Sequence, residues 1–455
     1  MGKKRTTARP TLGAATETGG AVSLAGHVRP SHLVVFREVA QRNASVISRV
    51  TGGKEAGRRT RAACTVLRTP RATTADARIY ERLAVAVADL TPDSVAKLQA
   101  DDAVLLVADN QIRSMSPVQI DLAAGAPAGG DALSTYLQGV RDGVDAALRF
   151  HKGARKGAPA IAPMPAADAA AHSWCLDMIG VTPGYAAATG RGVTVAVLDT
   201  GVDLRHRDFR ARLQENDNAV SFVHGASVQD GNGHGTHCLG VVGGPAQSAG
   251  GRRYGVAPEA SLLVGKVLND AGQGYDDQIL DGIDWADEMG ARVISMSFGS
   301  PRGVGQPFAD PYEVIASRLL NAERGVLLIC AAGNGSARPF LTAPVENPAA
   351  CPSIAAVAAL RRDGAVADFS CRRMDSIGEV NLAAPGSGVY SAWTGDTFLT
   401  ISGTSMATPH VAGAAALWME AAPELSARAV WDRLEATAQP LASAPDTGRG
   451  LVRAP

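Results

Sequence analysis

The second half of the chain alternates between unbroken apolar runs and segments with helical periodicity. The apolar runs, which predict strands, are 193–198, 261–267, 292–297, 326–331 and 354–357. The segments that predict helices are 275–289, 311–324, 405–419 and 426–437. Strands that are apolar on both faces and separated by helices indicate a buried, mostly parallel sheet with helices on both sides. We therefore predict an α/β, doubly wound domain in this half of the chain.

Three polar residues lie where such a sheet places its ligand site, beyond the carboxyl ends of its strands. Asp199 directly follows a predicted strand, His234 stands among glycines, and Ser405 begins a predicted helix. Taken singly, Asp199 would cap a turn and Ser405 would be an ordinary N-cap. His234 would form a structural turn or, with His237, a pair of metal ligands. Together, however, they supply an acid, a base and a nucleophile, the set that activates a serine hydroxyl.

A fourth polar residue, Asn334, follows the predicted strand 326–331 in the segment Ala-Ala-Gly-Asn-Gly. Its side-chain N–H can donate to the negative oxygen that develops when a serine attacks an amide. The backbone N–H of Ser405, at the start of its helix, faces the same developing charge. The four residues thus form a complete set for hydrolysing an amide bond.

The segments that carry these residues resemble the four signature segments of the subtilisin-like serine proteases, the subtilase family. They read DTGVD, GHGTHC, AAGN and GTSMATPH, in the family's order of Asp before His before Ser. The resemblance covers about residues 174–438. It implies that Asp199 orients the base, that His234 is the general base and acid, and that Ser405 is the nucleophile. Asn334 and the Ser405 backbone N–H would form the oxyanion hole.

The resemblance implies a serine endopeptidase that cleaves polypeptides through an acyl-enzyme. The alternative is a catalytically silent binding or scaffold protein on the same fold, and the intact set of four residues argues against it. A serine esterase of the α/β-hydrolase type would need a Gly-x-Ser-x-Gly elbow and the order Ser, Asp, His. The segment around Ser405 provides no such elbow, and the order of the three residues is different.

The resemblance also implies where a peptide substrate would bind. Two strand edges would pair with its backbone, one formed by Ser297, Phe298 and Gly299 and the other by Gly272, Gln273 and Gly274. The pocket for the residue before the cleaved bond would have a wall formed by Ala331, Ala332 and Gly333. Glu346 would lie near the floor of that pocket, where a carboxylate favours Lys or Arg. The alternative for Glu346 is a surface position in a loop.

The chemistry requires no cofactor, but a structural calcium ion remains an open question for this chain. Asp208 lies nine residues after Asp199, as does a calcium ligand of the family. The loop 243–250 lacks the Asn-rich pattern of the family's other ligands. Because one carboxylate does not make a calcium site, Asp208 is a metal-ligand candidate without the rest of its site.

Three further residues of the signature segments have other expected roles. His237 and His410 do not occupy the position of the family's base, and we interpret them as structural. Cys238 resembles the thiol that lies under the catalytic histidine in one subgroup of the family, where it would confer sensitivity to mercurials. A small buried hydrophobic residue is the other interpretation of Cys238, and both can hold.

The rest of the chain divides into segments of different texture. We predict a disordered tail over 1–30, a small α+β domain over 31–115, a helix and Pro/Ala-rich linker over 116–171, the protease domain over 172–440 and a C-terminal tail over 441–455. The domain at 31–115 resembles the propeptide of subtilases, which implies an intramolecular inhibitor and folding template. The alternative is an unrelated α+β interaction module. Processing would occur within 116–171.

Composition limits the partners of the chain. Lys and Arg together number 44, as do Asp and Glu, which argues against binding nucleic acid through bulk positive charge. No run of 18 or more apolar residues predicts a membrane span. Six cysteines are too few for a disulfide framework in 455 residues, and the basic start lacks the apolar core of a signal peptide. These features favour a cytoplasmic monomer with free thiols, with secretion as the alternative.

Overall fold

The computed structural model describes residues 30–38, 43–51, 57–58, 77–80, 82–115, 117–120, 172–181 and 188–455. Most of the predicted N-terminal tail lies outside the described residues. The same is true of the predicted helix around 131–150 and of the Pro/Ala-rich linker that follows it.

The front of the chain forms a small α+β unit, as its sequence predicts. Its strands are His32–Phe36 (β1), Gly57–Arg58 (β2), Arg78–Tyr80 (β3), Val85–Ala88 (β4) and Val104–Asp109 (β5), in the sheet order β2-β3-β4-β1-β5. Its helices are Asn43–Thr51 (α1) and Pro92–Gln99 (α2). The second helix begins with Thr91 as N-cap, whose hydroxyl accepts a hydrogen bond from the backbone N–H of Ser94.

The small sheet buries both of its faces, and the alternation along β1 assigns each side chain to one of them. Val34 and Phe36 belong to a separate core with the helices of the small unit. Leu33 and Val35 belong to the main core of the chain. Because side chains alternate across a strand, the small sheet lies between its own helices and the larger domain.

Two short strands and a helix connect the small unit to the rest of the chain. They are Ile112–Ser114 (β6), Gln119–Ile120 (β7) and Trp174–Ile179 (α3). The two strands pair with strands of the larger domain rather than with the small sheet. Residues 117–120 therefore belong to the larger domain's surface, whereas the sequence analysis assigns them to the linker.

The larger domain is built on a seven-stranded sheet in which every pairing is parallel. Its strands are Thr194–Asp199 (β8), Ala219–Ser221 (β9), Ser261–Lys266 (β10), Val293–Met296 (β12), Leu327–Ala331 (β13), Ala355–Leu360 (β14) and Leu382–Pro385 (β15). The spatial order is β15-β14-β13-β12-β8-β10-β9. This confirms the predicted α/β class, since the central strands are buried along their whole length, as unbroken apolar runs require.

Four of the six helices of the larger domain lie close to the predicted positions, with ends that differ by a few residues, and the first and last of the six are not among the predicted helical segments. The six are His234–Gly243 (α4), Asp276–Glu288 (α5), Asp310–Leu320 (α6), Thr404–Ala421 (α7), Ala427–Thr437 (α8) and Ala444–Thr447 (α9). Three further strands, Gln273–Tyr275 (β11), Val389–Trp393 (β16) and Thr397–Ser402 (β17), lie outside the main sheet. The sequence analysis does not predict strands at 389–402, where polar and apolar residues mix without a continuous run.

Residues 441–455, predicted as a C-terminal tail, pack against the larger domain. Leu451 pairs with Gln439, and the N–H of Val452 donates to the Ala383 carbonyl over 2.9 Å. Leu451 and Val452 are buried. This segment is part of the larger domain because its apolar residues are buried only against the strand at that edge of the sheet.

Besides the shared apolar core, the small unit contacts the larger domain through charged and polar groups. Arg78 binds Asp281 over 2.6 Å and also pairs with Asp277, both on α5. The Tyr80 hydroxyl donates to Asp281 over 2.8 Å, and Arg318 on α6 donates to backbone carbonyls of the small unit. Within the described residues, no helix is both long and apolar enough to cross a membrane.

Candidate active site

Asp199 and His234 form a buried pair at the carboxyl edge of the sheet. Asp199 is the last residue of β8, and its Oδ1 lies 2.7 Å from Nδ1 of His234. Neither side chain has any exposed surface. Burial alone would lower the pKa of His234, but the Asp199 carboxylate and the Cys238 thiol raise it well above its usual value. The carboxylate thus stabilises the imidazolium that forms when the ring accepts a proton.

The turn before α4 places His234 at the start of the helix. Gly233 has a φ of +106°, and a Cβ at this position would lie 2.4 Å from the ring of Trp393, so only glycine fits. Asp230 accepts hydrogen bonds from the backbone N–H groups of Gly233 and Thr236, over 2.8 and 2.9 Å. It also accepts one from the Thr200 hydroxyl, next to Asp199. Asp230 therefore joins the segments that carry the acid and the base.

Ser405 lies in the first turn of α7, opposite the buried pair. Its hydroxyl donates to the Ser297 carbonyl over 3.2 Å, and its own backbone carbonyl accepts from the Ser297 hydroxyl and the Cys238 thiol. Among the described residues, Nε2 of His234 has no hydrogen-bond partner. The nucleophile and the base are thus present without the hydrogen bond that would join them, and such bonds often form only when substrate binds.

Asn334 is held in one orientation by the residue that precedes Ser405. Its Oδ1 accepts from both the backbone N–H and the hydroxyl of Thr404, over 2.9 and 2.8 Å. Because the amide oxygen is occupied, the Nδ2 group faces the cleft, where it donates to the Pro117 carbonyl over 3.1 Å. Asn334 therefore already holds a peptide oxygen at the position predicted for the oxyanion hole.

The two predicted substrate edges are occupied by the chain's own residues. Ser114 exchanges two backbone hydrogen bonds of 2.9 Å with Gly299, and the N–H of Met115 donates to the Gly272 carbonyl over 2.8 Å. β6 pairs antiparallel with β11, with Gln273 opposite Ser114 and Gly274 opposite Arg113. An extended peptide therefore lies between the edges that the sequence analysis assigned to substrate.

The same segment continues past the catalytic groups to the other end of the cleft. β7 pairs antiparallel with β17, with Ile120 opposite Ile401 and Gln119 opposite Ser402. Val118, which precedes these pairs, lies so close to Gly403 that a Cβ built on Gly403 would be 3.3 Å from the Val118 Cγ1. Residues 112–115 and 117–120 thus flank the active site on both sides.

The predicted pocket walls lie beside Asn334, and they enclose Glu346. Ala331 and Ala332 are buried, and the Glu346 N–H donates to the Ala332 carbonyl over 3.0 Å. A Cβ at Gly333 would lie 2.4 Å from Cδ of Glu346, and one at Gly299 would lie 3.0 Å from its Oε2. The Glu346 carboxylate therefore lies between the two strand ends, with 6% of the residue exposed, and not in a surface loop.

Three of the predicted residues have environments that the sequence could not specify. The Phe298 side chain is fully buried, so this residue offers no side chain to the cleft edge. Ser297 is also buried, and its carbonyl and hydroxyl both bind Ser405. Glu346 contributes, after burial, to the pKa of Cys371, which is raised to about 12. That thiol stays protonated beside the carboxylate.

Asp208, the calcium-ligand candidate, is surrounded by hydrogen-bond donors. Its Oδ1 accepts from the backbone N–H of Ala249 over 2.9 Å. Its Oδ2 accepts from the hydroxyls of Ser248 and Tyr254, each over 2.7 Å. A backbone N–H cannot ligate a cation, and calcium requires six to eight oxygen ligands, so this environment does not fit a calcium ion.

Three further residues of the signature segments, His237, His410 and Cys238, also have hydrogen-bond partners. Nε2 of His237 lies 3.0 Å from the Val389 carbonyl, and Nδ1 of His410 lies 2.7 Å from the Met406 carbonyl. Burial lowers the pKa of His237 to about 3 and that of His410 to about 4, so both rings are neutral. Cys238 lies 3.9 Å from Nδ1 of His234, and burial raises the pKa of its thiol. These three residues support the site without entering the cleft.

The sequence analysis missed two residues that position the catalytic groups. Asp230 and Thr404 both stand next to the motifs, and each fixes a functional residue through its side chain. Their positions in the sequence could have identified them. Asp230 stands four residues before His234 in a glycine-rich turn, and Thr404 directly precedes Ser405. Asp and Thr at such positions usually bind nearby backbone groups.

Comparison with known proteins matches this geometry to one family. Residues 190–451 match the model of the subtilase family, described as Peptidase_S8. Subtilisin DY of Bacillus licheniformis is 40% identical over 266 residues, which is 58% of this chain and 89% of that protein. An intracellular serine protease of Paenibacillus polymyxa is 39% identical over 53% of this chain and 71% of its own length. The solved structure of sphericase matches with a TM-score of 0.53 and 31% identity, covering 61% of this chain and 96% of that one.

Proposed function

The chain belongs to the subtilase family, and from that membership we propose that it is a serine endopeptidase made in a self-inhibited form. Membership makes it a serine peptidase that acts on polypeptides. In the proposed reaction, His234 takes the proton of Ser405 as the hydroxyl attacks the scissile carbonyl. Asn334 and the Ser405 N–H stabilise the oxyanion, and His234 gives its proton to the leaving amine as the C–N bond breaks. A water molecule that loses a proton to His234 then attacks the acyl-enzyme, and the released Ser405 oxygen regains that proton.

Cleavage within a chain is supported by the positions of residues 112–115 and 117–120, which lie at the two ends of the cleft. The chain enters along β11 and Gly299 and leaves along β17, so the cleft accepts peptide on both sides of the catalytic groups. In an exopeptidase, which removes residues from a chain end, the cleft would be blocked on one side of the catalytic residues. A cleft open at both ends favours cutting within a chain.

The experiment is hydrolysis of casein by the full-length protein, with identification of fragments by mass spectrometry. We expect internal cuts and labelling of Ser405 by a serine-directed phosphonate. The Arg113→Gly variant, which loosens the occupying segment, should show more of both. Absence of labelling and of cleavage in both proteins would instead favour the alternative, a scaffold protein on this fold. Labelling with ester hydrolysis but intact casein would assign an esterase.

Self-inhibition follows from the same two stretches, because no substrate can bind while residues 112–115 and 117–120 occupy the cleft. The small unit at the front would hold the segment there through the ion pairs of Arg78 with α5. We propose that this unit is an intramolecular inhibitor and folding template. Its support is that one sheet face shares the core of the larger domain. A template of this kind helps a parallel sheet to fold. Strands that are distant in sequence must come together, at a cost in chain entropy, before their contacts stabilise the structure.

We propose that Glu346 makes the pocket before the cleaved bond selective for Lys or Arg. The support is its carboxylate between Gly299 and Gly333, beside the oxyanion donor Asn334. Replacing Glu346 by Gln should lower kcat/KM about 10- to 100-fold for substrates with Lys or Arg before the cleaved bond, since a charged hydrogen bond contributes about 1.5–3 kcal/mol. Peptide substrates that differ only at this residue would measure it.

The matched control for Glu346→Gln is Glu313→Gln. Glu313 accepts hydrogen bonds from the backbone and hydroxyl of Ser353, away from the cleft. The control should leave the ratio between basic and apolar substrates unchanged. Equal rates for basic and apolar substrates in the unmodified protein would disprove the proposed preference.

We also propose that the enzyme needs no calcium at Asp208, acts as a monomer, and works in the cytoplasm with free thiols. The donors around Asp208 support the first point. The third is supported by four buried thiols that form no disulfide within the described part of the chain, those of Cys238, Cys330, Cys351 and Cys371, and by the relative named an intracellular serine protease. Secretion is the alternative location.

A further inference from the structure

The side chain of Arg113, in the segment that occupies the cleft, enters a closed polar pocket of the larger domain. Its Nε and Nη2 bind the two carboxylate oxygens of Asp276, over 2.7 and 3.1 Å. Its Nη1 donates to the Ser300 hydroxyl over 2.6 Å. Arg113 and Asp276 are each only 3% exposed. The guanidinium is thus bound in the paired, two-point geometry that distinguishes arginine from lysine.

The walls of this pocket do not belong to the front of the chain. Asp276 is the first residue of α5, Tyr312 lies on α6, and Ser300 follows the cleft edge at Gly299. The Tyr312 hydroxyl donates to Oδ1 of Asp276 over 2.8 Å, and its ring lies 5.4 Å from the Arg113 guanidinium carbon. The tyrosine therefore orients the carboxylate and offers its ring face to a cation. The pocket would persist if another peptide replaced the occupying segment.

The pocket has a fixed position along any peptide bound in the cleft. Arg113 lies between Ser114, which pairs with Gly299, and Ile112, and it is opposite Gly274 on the other edge. A substrate that pairs with the same two edges in the same direction presents its corresponding side chain to Asp276. Because Arg113 precedes Pro117 by four residues, and Asn334 holds the Pro117 carbonyl, the pocket lies on the acyl side of the cleaved bond.

The Asp276 carboxylate favours a positively charged side chain in this pocket. Asp276 accepts from Arg113, from Tyr312 and, at Oδ2, from the backbone N–H of Gln111 over 3.2 Å. Only Arg113 among these partners brings a positive charge. If the segment leaves, Asp276 loses its cation, and a peptide that covers the pocket again without bringing a cation would bury an unpaired negative charge, which is costly. A substrate arginine would supply that cation with the same fork of donors.

We propose that the pocket formed by Asp276, Tyr312 and Ser300 is a substrate subsite for arginine, so that the enzyme prefers peptides with an arginine four or five residues before the cleaved bond. This inference rests on the proposed peptidase function and deepens it by naming the substrate class. It stands apart from the preference assigned to Glu346, which concerns the residue next to the bond. Arg113 is then the chain's own occupant of the subsite, and arginine-containing substrates compete with it.

The test uses the full-length Arg113→Gly variant, which leaves the pocket without its internal arginine. Blocked fluorogenic peptides carry one arginine, moved in turn from the third to the sixth position before the bond, and each has a partner with citrulline, which is uncharged and of the same shape. We expect kcat/KM to favour arginine over citrulline about 10- to 100-fold at the fourth or fifth position. Lysine there should be a poorer replacement, because it lacks the fork.

Asp276→Asn in the same background should remove this preference. Asp281→Asn is the matched control, since Asp281 binds Arg78 and Tyr80 of the front unit and not Arg113. The control should keep the arginine preference. Because each result is a ratio between two peptides on one protein, a partly folded variant lowers both rates and leaves the ratio unchanged.

Equal rates for arginine and citrulline at every position would overturn the subsite, as would a preference that survives Asp276→Asn. Either result leaves the peptidase function in place, because the peptides are still cleaved. If no peptide is cleaved by any variant and the phosphonate does not label Ser405, the peptidase function fails, and the subsite fails with it.

Discussion

Replacing Ser405 by alanine is expected to lower kcat by about 10⁶-fold, the loss seen for the nucleophile of a subtilisin. The hydroxyl is the attacking group of the proposed reaction, whereas the neighbouring Thr404 hydroxyl is held by Asn334. Folding should survive, because the hydroxyl makes one hydrogen bond, to the Ser297 carbonyl, worth about 0.5–1.5 kcal/mol. Turnover of a fluorogenic peptide and a thermal unfolding curve measure the two effects.

The control for Ser405→Ala is Thr408→Ala, one turn along the same helix. The Thr408 hydroxyl binds the Thr404 carbonyl within α7 and does not face the cleft. This variant should keep most of its activity. If Ser405→Ala retained more than a small fraction of the activity after removal of contaminating proteases, another residue would have to be the nucleophile.

The same variant reports on processing of the front of the chain. If the enzyme cuts its own linker, mass spectrometry should find a shortened chain for the unmodified protein and the full 455 residues for Ser405→Ala. If both proteins run at full length, self-processing is not supported, and inhibition by residues 112–115 and 117–120 would be relieved by another route.

Removing the oxyanion donor is expected to have the second largest effect. Asn334→Ala should lower kcat about 10²–10³-fold with little change in KM, a magnitude established for the corresponding group of a subtilisin. The loss falls on kcat because the amide N–H binds the oxygen most strongly when that oxygen carries negative charge. Steady-state kinetics on a short peptide substrate would separate kcat from KM.

A second substitution separates this role from a structural one. Asn334→Asp keeps an oxygen for the two hydrogen bonds from Thr404 but has no N–H to donate. If Asn334 acts as a donor, both variants lose activity. If Asn334 served only to anchor Thr404, Asn334→Asp would retain near-normal kcat, and the assigned role would be wrong.

The predictions that the sequence supported best depended on short-range patterns. The strand before Asp199 and the helix after Ser405 follow from continuous apolar runs, whose burial on both faces is the main stabilising term for a parallel sheet. The helix start at His234 follows from glycines whose backbone conformations and close contacts exclude a side chain. Such features are encoded by neighbouring residues, so they can be recognised without coordinates.

Other features depended on residues that are distant in sequence. Arg113 and Asp276 are 163 positions apart, and neither stands in a recognisable motif. The position of residues 117–120 in the cleft also could not be predicted from the sequence. The segment is short, and the strand with which it pairs lies far along the chain, near residue 401. Short strands of this kind have little preference of their own and form where an exposed edge accepts them.

The sequence by itself thus determined five of the seven strands of the main sheet, four of the larger domain's helices and the candidates for the reacting groups, since each has a local pattern of burial or turn geometry. Only the tertiary structure decided what fills the cleft and which charges line it. The contacts of Arg113 with Asp276 and of Glu346 with Gly333 depend on how separate strands and helices pack. A buried carboxylate is stabilised by a cation beside it, and tertiary packing decides which cation that is. The distance between the two residues along the chain does not reveal the pairing.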